Sequence, residues 1–178
     1  WRFPIQKRVF YGFQKEMHCM HWEEESHLPV GKPIMIGLDL GYRYPCATIC
    51  WENTVGQLVV YQSVMKQNTT LDKFIPFVQG FLDAKFGVKW RGLDKWYIDP
   101  AGKAESGQGT ARSAKRILHG ILKHSRIYHK YTFVQHRVHM INMLFEKNMI
   151  KVNPNCGVFF PDAKKAHAGT FIDMLEWG

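Results

Sequence analysis

No apolar run in this chain approaches the roughly 18 residues needed to cross a bilayer, so a membrane-spanning helix is excluded. Cysteine is scarce. Cys19, Cys46, Cys50 and Cys156 are the whole complement in 178 residues, and their spacing forms no disulfide framework. They are expected to be reduced thiols of a cytosolic protein. There is no Gly-x4-Gly-Lys-Ser/Thr segment, which excludes nucleotide hydrolysis by a phosphate-binding loop of that kind. No internal repeat and no secretory leader is visible. Acidic residues are the scarcer charge, 15 against 24 Lys and Arg, for a net charge of +9. That excess points to a polyanionic partner, nucleic acid before an acidic membrane. The chain begins at Trp1 and is expected to be a piece of a longer protein.

Apolar residues make up 46% of the chain, enough for one globular domain with its own core. Residues 1–32 are polar, aromatic and irregular, and are expected to form a linker or N-terminal extension that docks on the domain or on an upstream one. Residues 33–178 are expected to form the domain. Its first strand spans about 34–40, where Ile34, Met35, Ile36 and Leu38 form an apolar run buried on both faces. Strands at about 46–53 and 57–65 follow, with Asn53-Thr-Val-Gly56 as the turn between them. The three form an antiparallel meander. A helix over about 70–85 carries Leu71, Phe74, Ile75 and Val78 at helical spacing, with Pro76 in its early part. A fourth strand covers about 95–99. After a Gly-rich loop over 101–110 come a basic helix over about 111–123, a strand over 127–131 and a helix over 134–147. A short edge strand at 149–152 and a helix at about 168–177 close the chain.

Three carboxylates mark these elements. Asp39 ends the first strand, Asp99 ends the fourth, and Asp173 lies in the last helix. A lone strand-borne Asp is costly to bury unless it binds something. Gly37 and Gly41 flank Asp39 and keep the backbone open to a ligand. Hard divalent cations such as Mg2+ or Mn2+ prefer carboxylate oxygen and water. Two of them about 4 Å apart can activate a water and stabilise the leaving oxygen in phosphodiester cleavage. In a basic chain this pattern points to a metal-dependent nuclease. Cys46-x3-Cys50 reads as packing within a strand, because no second ligand pair stands near it. His18 and His21 lack a full ligand set and read as surface histidines.

Four segments resemble, in order, the C-terminal nuclease domain of the large terminase subunit of tailed bacteriophages. Gly37-Leu-Asp-Leu-Gly41 resembles its opening metal-binding strand. Tyr97-Ile-Asp-Pro-Ala-Gly102 with Ser106-Gly-Gln-Gly-Thr-Ala-Arg-Ser113 resembles a segment common among terminases. Val134-Gln-His-Arg-Val138 followed by Ile150-Lys-Val-Asn-Pro-Asn-Cys156 resembles the helix and strand before the last acid. Phe171-Ile-Asp-Met-Leu-Glu-Trp-Gly178 resembles the closing helix. The resemblance covers about residues 33–178. It implies a ribonuclease H-like α/β fold: a mixed central sheet, its first three strands antiparallel and the fourth parallel to the first, with helices on both faces. It also implies cleavage of double-stranded viral DNA during genome packaging by a two-metal mechanism. Asp39, Asp99 and Asp173 would be the catalytic metal ligands, and the ions Mg2+ or Mn2+. Partners would be duplex DNA, an upstream ATPase domain, the portal and the small terminase subunit, in the cytoplasm of an infected host, with no membrane. Many members carry another acid three or four residues before the closing Asp; here Thr170 and Gly169 stand there.

A duplex substrate would be held mainly through its phosphates. Arg43, Lys103, Arg112, Lys115, Arg116 and Arg137 are the candidate contacts. No groove-reading helix is evident, so little base preference is expected. Three rivals remain. An inactive or weak nucleic-acid-binding module of the same fold would follow from loss of one acid. A resolvase or transposase-type nuclease would share the superfold. An actin-like ATPase would need small or hydroxyl residues after Gly41, where Tyr42 and Arg43 stand instead.

Overall fold

The computed structural model describes residues 9–19, 31–40, 44–98, 114–129, 133–156, 158–159 and 175. A single helical turn, α1 (Lys15–His18), precedes β1 (Ile34–Asp39), β2 (Cys46–Glu52) and β3 (Leu58–Met65). Then come α2 (Leu71–Phe86), a 3-10 turn at Gly87–Trp90, and β4 (Lys95–Ile98). The rest is α3 (Ala114–Ile121), β5 (Arg126–His129), α4 (Val134–Glu146), β6 (Ile150–Val152) and β7 (Val158–Phe159). Among the described residues the strands form one sheet in the order β5-β4-β1-β2-β3-β6, with β7 also pairing with β3. β1, β2 and β3 run antiparallel to one another in turn. β4 is parallel to β1 and β5 parallel to β4, while β6 and β7 are parallel to β3.

The sheet has two unequal faces. On one, Ile34, Ile36 and Leu38 of β1 pack with Trp96 and Ile98 of β4 against Phe74, Ile75, Val78 and Leu82 of α2 and Leu118 of α3. This is the main core. The other face carries a smaller cluster of Val60, Phe145, Ile150, Val152, Cys156 and Leu175, joined by Phe13 from the N-terminal segment. Helices therefore cover both faces, α2 and α3 one and α4 the other. The apolar run of β1 is not buried equally on both sides as its composition implies. Met35 and Gly37 are only half-buried and Asp39 is exposed. Pro76 lies inside α2, which still begins at Leu71.

A bulge sets which side chains meet on the second face. The β2–β3 register shifts between Ile49 and Cys50: Ile49 pairs with Gln62, and Cys50 with Val60. An extra residue reverses the alternation of the strand that carries it. Val59, Tyr61 and Val64 thus all reach the main core, and Ser63 falls opposite Thr48. The two hydroxyls are 3.0 Å apart.

Residues 9–19 dock on α4 and β6. Phe13 is buried against Phe145, with ring centroids 5.3 Å apart. Cys19 forms an isolated parallel bridge with Val152. Lys151 donates from Nζ to the carbonyl of Met17 at 2.7 Å. His18 is not a surface histidine: it is 1% exposed. Its Nδ1 accepts the Gln14 N–H at 2.8 Å, which leaves the proton on Nε2, 2.9 Å from the Phe145 carbonyl that accepts it. Burial holds this imidazole below its ordinary range, although the hydrogen bond to the Phe145 carbonyl acts the other way.

Candidate active site

β1 is central in the sheet, so its even-numbered residues are spent on the core and its odd-numbered ones face the other way. Gly37 and Asp39 thereby open onto a cleft of about 720 Å³ on the α4 face. β2 contributes Cys46 and Thr48, β4 contributes Tyr97, β5 contributes Tyr128, and α4 closes the wall with Arg137 and Ile141. Ile141 also packs on the cluster that holds Leu175, so the cleft and that cluster adjoin.

Asp39 is exposed at the end of its strand. The burial cost that its position in an apolar run implies does not arise, and the carboxylate is open to solvent and to a cation. Opposite it in the register stands Cys46. Burial, and then the nearby Asp39 carboxylate, push the Cys46 thiol up to about 11. The Asp39 carboxylate supplies the oxygen donor that a hard divalent ion prefers. The donor chemistry of the described part of the cleft therefore fits Mg2+ or Mn2+. Among the described residues, however, no three His, Cys, Asp or Glu side chains come together as a metal cluster. All four cysteines are free.

The sequence-predicted residues divide as follows. Asp39 and Arg137 line the same cleft, and Arg137 is exposed on α4. Arg116 is exposed on α3, which packs with α2 on the far face of the sheet, so it stands apart from the cleft lining. Lys115 belongs to α3, with its side chain outside the described residues. Asp99, Asp173, Arg43, Lys103 and Arg112 also lie outside them. Two described neighbours bear on the acids. Ile98, the residue before Asp99, pairs with Leu38, the residue before Asp39. Leu175, two residues after Asp173, is buried on the cleft side of the sheet.

Sequence reasoning missed Tyr97 and Tyr128. In β4 the alternation Trp96 in, Tyr97 out was the available signal, with Trp96 fully buried and Tyr97 40% exposed. Tyr97 and Tyr128 are register partners, and their rings stack with centroids 5.0 Å apart and planes 15° from parallel.

A mixed sheet that starts as an antiparallel meander, continues in parallel strands and ends its first strand in an acid is the ribonuclease H-like arrangement. More narrowly, the fold is that of the nuclease domain of large terminases. The large terminase of a thermophilic bacteriophage superposes with a TM-score of 0.59 at 13% identity, covering 83% of this chain and 34% of that one. The large terminase nuclease of thermophilic phage G20c with bound magnesium superposes with a TM-score of 0.54 at 13% identity, covering 84% of this chain and 76% of that one. A second structure of the G20c nuclease gives 0.51 at 14% identity, over 82% and 74%. The chain thus spans about a third of the length of the first of these large terminases. No protein-family model matches the chain, and no curated protein matches it in sequence.

Proposed function

We propose that this domain is a metal-dependent endonuclease that cuts double-stranded DNA, with little sequence preference, during viral genome packaging. The observation that carries the proposal is Asp39: an exposed carboxylate ending the central strand of a terminase-nuclease fold, at the mouth of a cleft walled by Arg137. Asp99 follows a residue paired to the neighbour of Asp39, and Asp173 precedes a residue anchored on the same face. These described neighbours support the reading that both acids join Asp39 at one ion-binding site, where the three carboxylates would hold one or two divalent cations. The magnesium-bound G20c nuclease supports such use of a divalent ion.

When bound, the ions would supply a lowered water pKa and charge stabilisation at the scissile phosphate. The chain's own residues do the rest. Asp39 presents its carboxylate from a strand whose other face is packed in the main core. Arg137 offers the cleft a cation for a phosphate oxygen. Arg43, Lys103, Arg112 and Lys115 are proposed as further phosphate contacts. An upstream ATPase domain, a portal and a small terminase subunit are the proposed partners, in the host cytoplasm.

Incubating supercoiled plasmid with the protein and Mn2+ tests the proposal. Nicking and linearisation are expected, with loss on chelation and in Asp39→Asn, Asp99→Asn and Asp173→Asn. A protein that binds plasmid but leaves it uncut in Mn2+ and Mg2+ is a binding module, not a nuclease.

A further inference from the structure

Across the cleft face runs one row of register partners: Tyr128, Tyr97, Gly37, Thr48 and Ser63. Adjacent strands are roughly 4.8 Å apart. Tyr128 and Tyr97 fill two neighbouring positions with stacked rings. The next position holds Gly37, which has no side chain. The face of the Tyr97 ring turned away from Tyr128 therefore borders a slot floored by Gly37 and bounded beyond by Thr48. From Tyr97 to Thr48 is two strand spacings, roughly 10 Å, room for one planar ring in van der Waals contact with Tyr97.

Packing does not require the slot to be empty. A Cβ built at Gly37 meets nothing among the described residues closer than the Thr48 carbonyl oxygen at 3.9 Å, and Gly37 has no positive φ. A glycine inside a strand weakens it by roughly 0.5–1 kcal/mol relative to alanine. Neither close contact nor backbone conformation explains this one. Asp39 lies two residues farther along the same strand face, and Arg137 is on the same wall. The chain as a whole carries a net charge of +9, which suits a polyanionic ligand.

We propose that the slot over Gly37 takes one nucleobase of a DNA strand, turned out of its stack to become the third ring on the Tyr128–Tyr97 pair. This rests on the nuclease reading and adds a substrate form to it: a single-stranded or locally melted strand is engaged at the cleft, since a base inside an intact duplex cannot reach the sheet. Base–aromatic stacking tolerates any base, consistent with little sequence preference.

The test uses an oligothymidylate carrying 2-aminopurine at successive positions, bound without divalent metal so that nothing is cut. Wild type is expected to quench the fluorescence at one position and to bind single strands more tightly than a blunt duplex of equal length. Tyr97→Ala should weaken single-strand binding roughly 5- to 150-fold, the range for loss of one stacked base, and Tyr97→Phe should retain it. Gly37→Val should fold, fill the slot and abolish the quenching. If a variant misfolds, quenching by wild type and Tyr97→Phe alone decides. No position quenched by wild type, or an unchanged affinity in folded Tyr97→Ala, overturns the proposal. The plasmid assay is separate: quenching without cutting sinks the nuclease reading and leaves the slot, whereas cutting without quenching does the reverse.

Discussion

Gly12 and Asn142 grip one another across 130 residues of chain: the Gly12 N–H donates to Oδ1 of Asn142 at 2.9 Å. The same amide donates from Nδ2 to the Val9 carbonyl at 2.9 Å and to the Val138 carbonyl at 3.1 Å. Asn142 is fully buried. A Cβ on Gly12 would sit 2.7 Å from the Asn142 carbonyl oxygen, a backbone atom that has no rotamer by which to retreat. Asn142→Ala leaves buried backbone groups without partners and is expected to cost about 2–3 kcal/mol. Gly12→Ala is expected to free residues 9–19 while sparing the sheet. Denaturant melts and limited proteolysis check both; a Gly12→Ala protein as protease-resistant as wild type would show that the clasp does not hold the segment.

His18 makes this docking sensitive to acid. Its folded pKa lies below the ordinary 6.5, chiefly through burial. Above about 6.5 the ring is neutral whether docked or free, and docking has its full strength. As pH falls below that value the free ring takes up a proton that the docked ring refuses, because Nδ1 is occupied by the Gln14 N–H. Docking should therefore weaken as pH falls below about 6.5. Hydrogen exchange of residues 9–19 at pH 7.5 and 5.5 measures it, and His18→Gln should flatten the dependence.

Asp94 secures the β4–β5 edge from beneath. It is 3% exposed and accepts from the Gly92 N–H at 3.0 Å, from Trp96 Nε1 at 2.5 Å and from the Ser125 hydroxyl. Trp96 is fully buried. Asp94→Ala strands the indole N–H in the main core and should destabilise by about 3 kcal/mol. Asp94→Asn, which keeps one acceptor oxygen, should cost less. Urea midpoints at constant m-value distinguish the two.

Asp39 should behave in the opposite way. It is exposed and carries no core packing, so Asp39→Ala should leave the stability of the metal-free protein within about 0.5 kcal/mol of wild type. In wild type, Mn2+ at 100 times its Kd should add about 2.7 kcal/mol of stability by mass action. The variant should lose that increment. Thermal melts with and without Mn2+ measure both quantities, and an equal rise in the two proteins would remove Asp39 from the ion site.

Much of the architecture was legible along the chain. Apolar alternation and turn residues placed β1 through β4 and α2 to within a residue or two, because strand and helix periods are local properties of the backbone. The acid at the end of β1 was legible for the same reason: a charge stands out in an apolar run. Its exposure was not, since one strand's composition does not tell which of its faces a helix will cover. The short segments around α1 were the least legible. A four-residue helix has no period to read, and His18 resembles a surface residue until Phe13 and Phe145 enclose it.

The order of residues by itself settled the class of fold and the net positive charge and singled out the candidate carboxylates, each of which depends on side-chain type and short spacing. Only the folded chain decided that Tyr97 and Tyr128 stack beside Gly37, that Ser63 turns to Thr48 after the bulge, and that Gly12 meets Asn142. Those meetings depend on strand register and helix placement, which are fixed by packing between residues distant in the chain and leave no local periodicity behind.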